Sequence, residues 1–199
     1  MANKVQIINK ALSLLGMKRI TSIDDLNDDG KLLPQCAAAN ATYDISLESV
    51  LSSGLFDFSI KRVALALTID TLAFTENGKS LVYQKPTDCL RAVDFYPSIA
   101  RVSVEGDKFI SDTANLCVRY VYRNDDTSQY FPAFVEAFAF KLAADMSYAL
   151  SNGSTKGADL LTAYENIYLP RAKSADNSQG DAIEQDADDI LLAKYGVLP

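Results

Sequence analysis

Leu116-Cys117-Val118-Arg119-Tyr120-Val121-Tyr122-Arg123 decides the fold. Val118, Tyr120 and Tyr122 fall on one side of this run; Cys117, Arg119, Val121 and Arg123 fall on the other. A period of two belongs to an extended strand, whose successive side chains point to opposite faces of a sheet. One face is aromatic and the other is half-basic. Upstream, the same period predicts strands at 81–84, 91–95, 100–104 and 108–110. Asn77-Gly78 is a turn signal, and Glu105-Gly106-Asp107 reads as a short hairpin loop. The segment 56–68 fits strand and helix equally well and is expected to be mixed.

Outside the strands the period is helical. Asn3 is a candidate N-cap for a first helix, with Val5, Ile8, Leu12 and Leu15 on one face and Gly16 as its stop. Pro34 suits the opening of a second helix that Gly54 ends. That helix should turn Ala38, Ala41, Ile45 and residues 47–51 inward, with Tyr43 and Asp44 at its middle. Pro132 opens a third, in which Phe134, Ala137, Phe138, Leu142, Met146 and Ala149 cover most of the circumference; such a helix belongs at the centre of a bundle or between subunits. Asn152-Gly153 breaks it. A fourth, with Leu161, Tyr164, Ile167 and Tyr168 inward, should be kinked or ended by Pro170. The expected helices are about 3–15, 34–53, 132–151 and 155–173, with a β insertion about 80–124. The fold class is α+β: an antiparallel, up-down α-helical bundle with a small inserted antiparallel β-sheet and an extended C-terminal arm.

The division is a body, 1–174, and a docking arm, 175–199. From Asp176 to Asp189 the sequence has six acids and no base, then closes on Ile190-Leu191-Leu192-Ala193-Lys194-Tyr195-Gly196-Val197-Leu198-Pro199. A solvated strap with an apolar end builds no core of its own. Ile183, Ala187, Ile190 and Leu191 share one helical face, and with Tyr195 and Leu198 they are the candidate partner-binding residues.

Composition narrows the chemistry. A formal charge of −7 and no histidine argue against tight binding to a nucleic-acid backbone and remove the usual base of a nucleophilic triad. Cys36, Cys89 and Cys117 are widely spaced, with no CxxC pair, and read as buried free thiols. Asp25-Leu26-Asn27-Asp28-Asp29-Gly30 matches the opening of a calcium loop, but the twelfth position is Cys36 where a bidentate glutamate is required. The nine glycines are scattered, so no phosphate-cradling loop is present. The window 131–150 is interrupted by Glu136, Lys141 and Asp145 and reads as a buried helix, not a membrane span. No catalytic residue, cofactor or metal is expected.

Several segments, in order, resemble the tail tubular protein A family, the head-to-tail adaptors of short-tailed bacteriophages. They are Ala11-Leu12-Ser13-Leu14-Leu15-Gly16, Tyr43-Asp44, Phe56-Asp57-Phe58-Ser59-Ile60-Lys61-Arg62, Lys85-Pro86-Thr87-Asp88-Cys89-Leu90-Arg91, Val118-Arg119-Tyr120-Val121, Phe131-Pro132-Ala133-Phe134 and Lys141-Leu142-Ala143-Ala144. Phe56 stands where a Trp is common, and Lys85 replaces a leucine. The resemblance covers residues 5–175 and implies a virion protein, made in the host cytoplasm. It would form a homo-oligomeric ring of about twelve copies under the portal protein. That ring would extend the DNA channel without specific DNA binding, carry the tail nozzle (tail tubular B-type) protein and touch no membrane.

Three alternatives stand beside it. One is a head-completion or tail-terminator protein of a long-tailed phage. A second is a nucleic-acid module using the aromatic sheet residues Tyr83, Phe95, Tyr96, Phe109, Tyr120 and Tyr122 with Arg91, Arg101, Arg119 and Arg123. The third is a metal-dependent hydrolase built on Asp25, Asp28 and Asp29.

Overall fold

The computed structural model describes residues 2–150 and 155–178. Helix α1 (Lys4–Leu15) begins at a reciprocal capping box: Gln6 N–H donates to Asn3 Oδ1 at 2.8 Å and Asn3 N–H donates to Gln6 Oε1 at 2.9 Å. These bonds satisfy donors that a helix start leaves unpaired. Gly16 closes the helix in the left-handed region, at φ +75°. Helix α2 (Pro34–Ser53) carries Pro34 in its first turn, where the missing N–H costs nothing. Helix α3 (Pro132–Leu150), helix α4 (Lys156–Ala163), a π-helical turn (Tyr164–Tyr168) and helix α5 (Leu169–Asn177) follow the strands. The chain is thus a mixed helix and sheet protein of the α+β class.

α3 packs against α1, α2, α4 and α5. Its Phe134, Ala137, Phe138, Leu142 and Met146 are fully buried, whereas Ala149, expected with them, is exposed. Phe134 sits edge-on to Phe56, Phe58 and Tyr130, with ring centroids 5.0, 4.8 and 4.9 Å away. A buried Phe is worth roughly 1.5–3 kcal/mol, and edge-on rings add about 0.5–1.5 kcal/mol. This ring cluster therefore dominates the helical core. One polar contact crosses it: buried Ser46 of α2 donates to Asp145 of α3 at 2.5 Å, and Lys141 neutralises that carboxylate. α4 lies so close to α3 that a Cβ on Gly157 would fall 2.1 Å from Ser147 Oγ.

The strands are β1 (Ile60–Ala64), β2 (Leu81–Gln84), β3 (Cys89–Tyr96), β4 (Val102–Glu105), β5 (Lys108–Ser111) and β6 (Cys117–Tyr122). They form two antiparallel three-stranded sheets, β1-β6-β3 and β2-β5-β4, where one small sheet was expected. The split has a local origin in the ambiguous segment. A 3-10 turn (Asp57–Ser59) leads into β1, which pairs with β6. Leu65 N–H still bonds Leu116 O at 2.8 Å, but Thr68 N–H bonds Val82 O of β2. One extended run thus passes from the first sheet to the second, as strands do at the corner of two packed sheets. At Asn77-Gly78 both residues have positive φ, 52° and 77°, the requirement of a type I′ hairpin turn.

β6 serves two cores. Val121 is fully buried in the helical cluster beside Ile60, Leu90 and Val93. Val118 and Tyr120 are buried between the sheets with Tyr83, Phe109 and Leu116. The alternation read from the sequence is thus used on both faces.

Further sequence expectations need correction. Ala41 and Ile45 of α2 are exposed, Ile45 at 70%, while Cys36, Ala39, Tyr43 and Leu47 are buried. Pro170 does not end the last helix. The π-helical turn precedes it, with Leu169 N–H bonded to Tyr164 O, and Pro170 falls at the start of α5, where no N–H is needed. The wide turn also changes the inward face. At steps of four, Leu160, Tyr164, Ala172 and Asp176 are buried and Tyr168 is half-buried, and Leu161 and Ile167 turn out. Finally, Ala175 to Asn177 belong to α5 and not to an arm. Asp176 is 4% exposed and accepts from Asp57 N–H at 3.1 Å, which ties the helix end to the 3-10 turn. Cys36 and Cys89 are buried free thiols, but Cys117 is half-exposed. The expected break at Asn152-Gly153 lies outside the described residues.

Phe134→Ala should lower unfolding free energy by about 3–5 kcal/mol in urea titrations, whereas Ile45→Ala should stay within about 0.5 kcal/mol. Burial pushes the Asp176 carboxyl above its usual value of 3.8, against the bond from Asp57. The folded state therefore holds its proton to higher pH, and stability falls as pH rises from 3.8 through the raised value. Asp176→Asn keeps an acceptor and removes the charge. It should stabilise the protein at pH 7, with the gain vanishing below about pH 3.8.

A candidate interaction face on the first sheet

The half-basic face of β6 is covered at one end only. The cross-strand row Ile60–Val121–Arg91 lies toward the helices, where Val121 is buried and Arg91 Nη2 donates to Gly54 O at 2.8 Å. The next row is Arg62–Arg119–Asp94, followed by Ala64–Cys117–Tyr96. Arg62, Ala64, Asp94 and Tyr96 are all exposed, Tyr96 at 71%. A groove of about 420 Å³ opens here, lined by Arg62, Asp94, Phe95, Tyr96, Cys117, Val118 and Arg119.

The electrostatics of this row are unbalanced. Arg62 and Arg119 are direct cross-strand partners, an arrangement that repels. Asp94 answers only Arg119, at 3.4 Å, and the buried Nε of Arg119 has no acceptor among the described residues. Arg62 has neither a hydrogen bond nor an ion pair among them. Two guanidinium groups thus face one carboxylate on a protein of net charge −7.

The other arginines of the sheets are engaged. Arg101 bonds Asp112 at 2.7 Å, and the Thr113 hydroxyl and Arg101 together hold that carboxyl down at about 2. Arg123 meets Asp44 at 3.1 Å and Glu48 and Asp125 at 3.0 Å, fastening β6 to α2. Of the aromatic residues proposed for stacking, Tyr83, Phe109 and Tyr120 are buried and Tyr122 lies under Lys61 Nζ, 3.8 Å from its ring centre. Those four do not line the groove with the arginines, whereas Phe95 and Tyr96 line it with Arg62 and Arg119.

Asp88 joins three strands. It accepts from Lys61 of β1 at 2.6 Å and from the Tyr120 hydroxyl of β6 at 2.9 Å, just before β3. Burial pushes its carboxyl up, but these bonds outweigh burial and hold it below the usual carboxylate value.

The acidic loop at Asp25 closes a small antiparallel turn with a bridge between Leu26 and Leu32. Asp25 accepts from Thr21 and Ser22 N–H at 2.6 and 3.0 Å, and Asn27 Oδ1 accepts from Asp29 and Lys31 N–H. Those oxygens serve the backbone; Asp28 and Asp29 are exposed. Among the described residues, no group of three or more Cys, Asp or Glu is placed to hold a metal. Nor is any helix long and apolar enough to cross a membrane. The candidate partner residues Ile183, Ala187, Ile190, Leu191, Tyr195 and Leu198 lie outside the described residues. Arg62 was missed in the sequence because its segment gave no clear period, and no sequence signal shows that it faces Arg119.

No family model matches the chain, and no curated protein matches its sequence.

Asp94→Ala would leave the Arg62–Arg119 repulsion unopposed. Stability should fall by up to about 1 kcal/mol at low salt, and the loss should shrink at about 0.5 M salt, since exposed charges are screened there. Urea midpoints at the two ionic strengths check this.

Proposed function

We propose that the chain is a structural head-to-tail adaptor of a short-tailed bacteriophage, a ring component between portal and tail nozzle that works by geometry and interface area. In this reading the helices form the body of a bundle, the two sheets are its insertion, and the segment after the last helix is an arm that meets the portal or a neighbouring subunit. The ring would have about twelve copies closed by heterologous contacts. Its acidic balance suits a channel that must let DNA slide.

One observation carries the reading. The segments that resemble the adaptor family are spread from Ala11 to Ala144, yet side chains from four of them meet. Asp88 of the Lys85–Arg91 segment bonds Lys61 of the Phe56–Arg62 segment and Tyr120 of the Val118–Val121 segment. Phe56 and Phe58 of one segment pack on Phe131 and Phe134 of another. Asp44 of the Tyr43-Asp44 pair holds Arg123, directly after β6. Contact among four of the seven weak motifs supports one inherited fold over separate coincidences.

Virions of the phage that encodes this chain should contain it at the portal–nozzle junction, and particles assembled without it should lack the nozzle. Truncation after Ser178 should reduce attachment to portal-bearing particles at least tenfold in co-sedimentation. Virions free of the chain, or nozzles that attach without it, would contradict the reading.

A further inference from the structure

We infer that the uncovered end of the first sheet is a docking face for the acidic segment 181–189 of the same chain. The inference stands apart from the adaptor reading, since it concerns the chain before any partner is met.

Three observations converge. The first is charge. The face presents Arg62 and Arg119 against the single carboxylate of Asp94, with a buried donor on Arg119 that has no acceptor among the described residues. The segment 179–199 carries Asp181, Glu184, Asp186, Asp188 and Asp189 against Lys194 alone. Carboxylates on Arg62 and Arg119 would remove the repulsion across the row and supply the missing acceptor.

The second is position. α5 ends beside this sheet: Lys173, Asp176 and Asn177 line one groove together with Arg91 of β3. β3 then runs from Arg91 through Asp94 to Tyr96, away from the helices. Five residues of strand span about 17 Å. Four residues beyond Asn177 reach Asp181, roughly 13 Å in extended chain, and twelve reach Asp189, roughly 40 Å. The acids therefore come within range of the Arg62–Arg119 row without help from a second copy.

The third is a comparison with the larger apolar groove. The larger apolar groove beside Phe131 and Val135, about 570 Å³, contains Lys10 and Glu136, already paired at 3.2 Å. It has no surplus positive charge to hold an acidic strap. At the sheet, Tyr96, Ala64 and Cys117 lie next to the arginines and offer apolar contact to Ile183 and Ala187 of the segment.

Cys117 allows a direct test on the full chain, because it lines the groove while Cys36 and Cys89 are buried. In an Ala187→Cys variant, a short bismaleimide should bridge positions 117 and 187 within one molecule. Peptide mass spectrometry should find that bridge, in a yield unchanged over a hundredfold dilution. The yield should fall at least fivefold at high salt. It should fall as much in Arg62→Glu, which removes no hydrogen bond or ion pair among the described residues and so keeps the fold. Three results would overturn the inference: no bridge, a bridge indifferent to both salt and Arg62→Glu, or bridged dimers whose yield rises with concentration. The last would assign the face to a second copy. None of these outcomes depends on whether the chain is found in a virion.

Discussion

Everything in this protein is arranged around a strand that must satisfy two cores at once. Val121 of β6 belongs to the helical cluster, and Val118 and Tyr120, on the other face, belong to the layer between the sheets. Strand side chains alternate strictly, so a slip of one residue would exchange the two sets. It would bring Arg119 toward the aromatic layer and expose Val121. The register is held from both sides. β1 pairs with β6 residue for residue, and Asp88 pins Lys61 to Tyr120. Arg123 then ties the strand's exit to α2 through Asp44 and Glu48. The helical and β halves are therefore not two domains joined by a linker; they share a wall.

The shared wall also explains where an interaction face can arise. Helices cover the half-basic side of the sheet only as far as the row of Val121. Beyond it the strands continue, and the side chains there are exposed or half-exposed, held together by the Arg119–Asp94 pair. Two arginines placed opposite each other cost stability in isolation. Their presence on an otherwise acidic protein makes sense if a carboxylate-bearing segment meets them, and α5 ends beside Arg91 of β3.

Much of this was legible in the sequence, for physical reasons that differ by element. The N-cap at Asn3, the stop at Gly16, the opening prolines of α2 and α3, and the Asn77-Gly78 turn are local and were read correctly. The alternation of β6 was legible too, because it needs no knowledge of partners. Ile45, Leu161 and Ile167 were placed inward wrongly. A helix's inward face depends on what it packs against, and the π-helical turn before Pro170 shifts the period of the last helix in a way no ideal wheel contains. The second sheet was invisible because strand partners are chosen at long range. The Arg62–Arg119–Asp94 row was invisible for the same reason: register brings together residues far apart in the chain. The candidate anchors from Ile183 to Leu198 were read from spacing alone.

Amide hydrogen exchange tests the claim of a shared wall most directly. If β6 closes both cores, peptides covering 117–122 should exchange only on global unfolding. Peptides from α3 and from β5 should then be protected to the same free energy, as members of one cooperative unit. Should the strands at 81–111 exchange orders of magnitude faster while α3 stays protected, the two halves would be separate units. The account of β6 as their common wall would then be wrong.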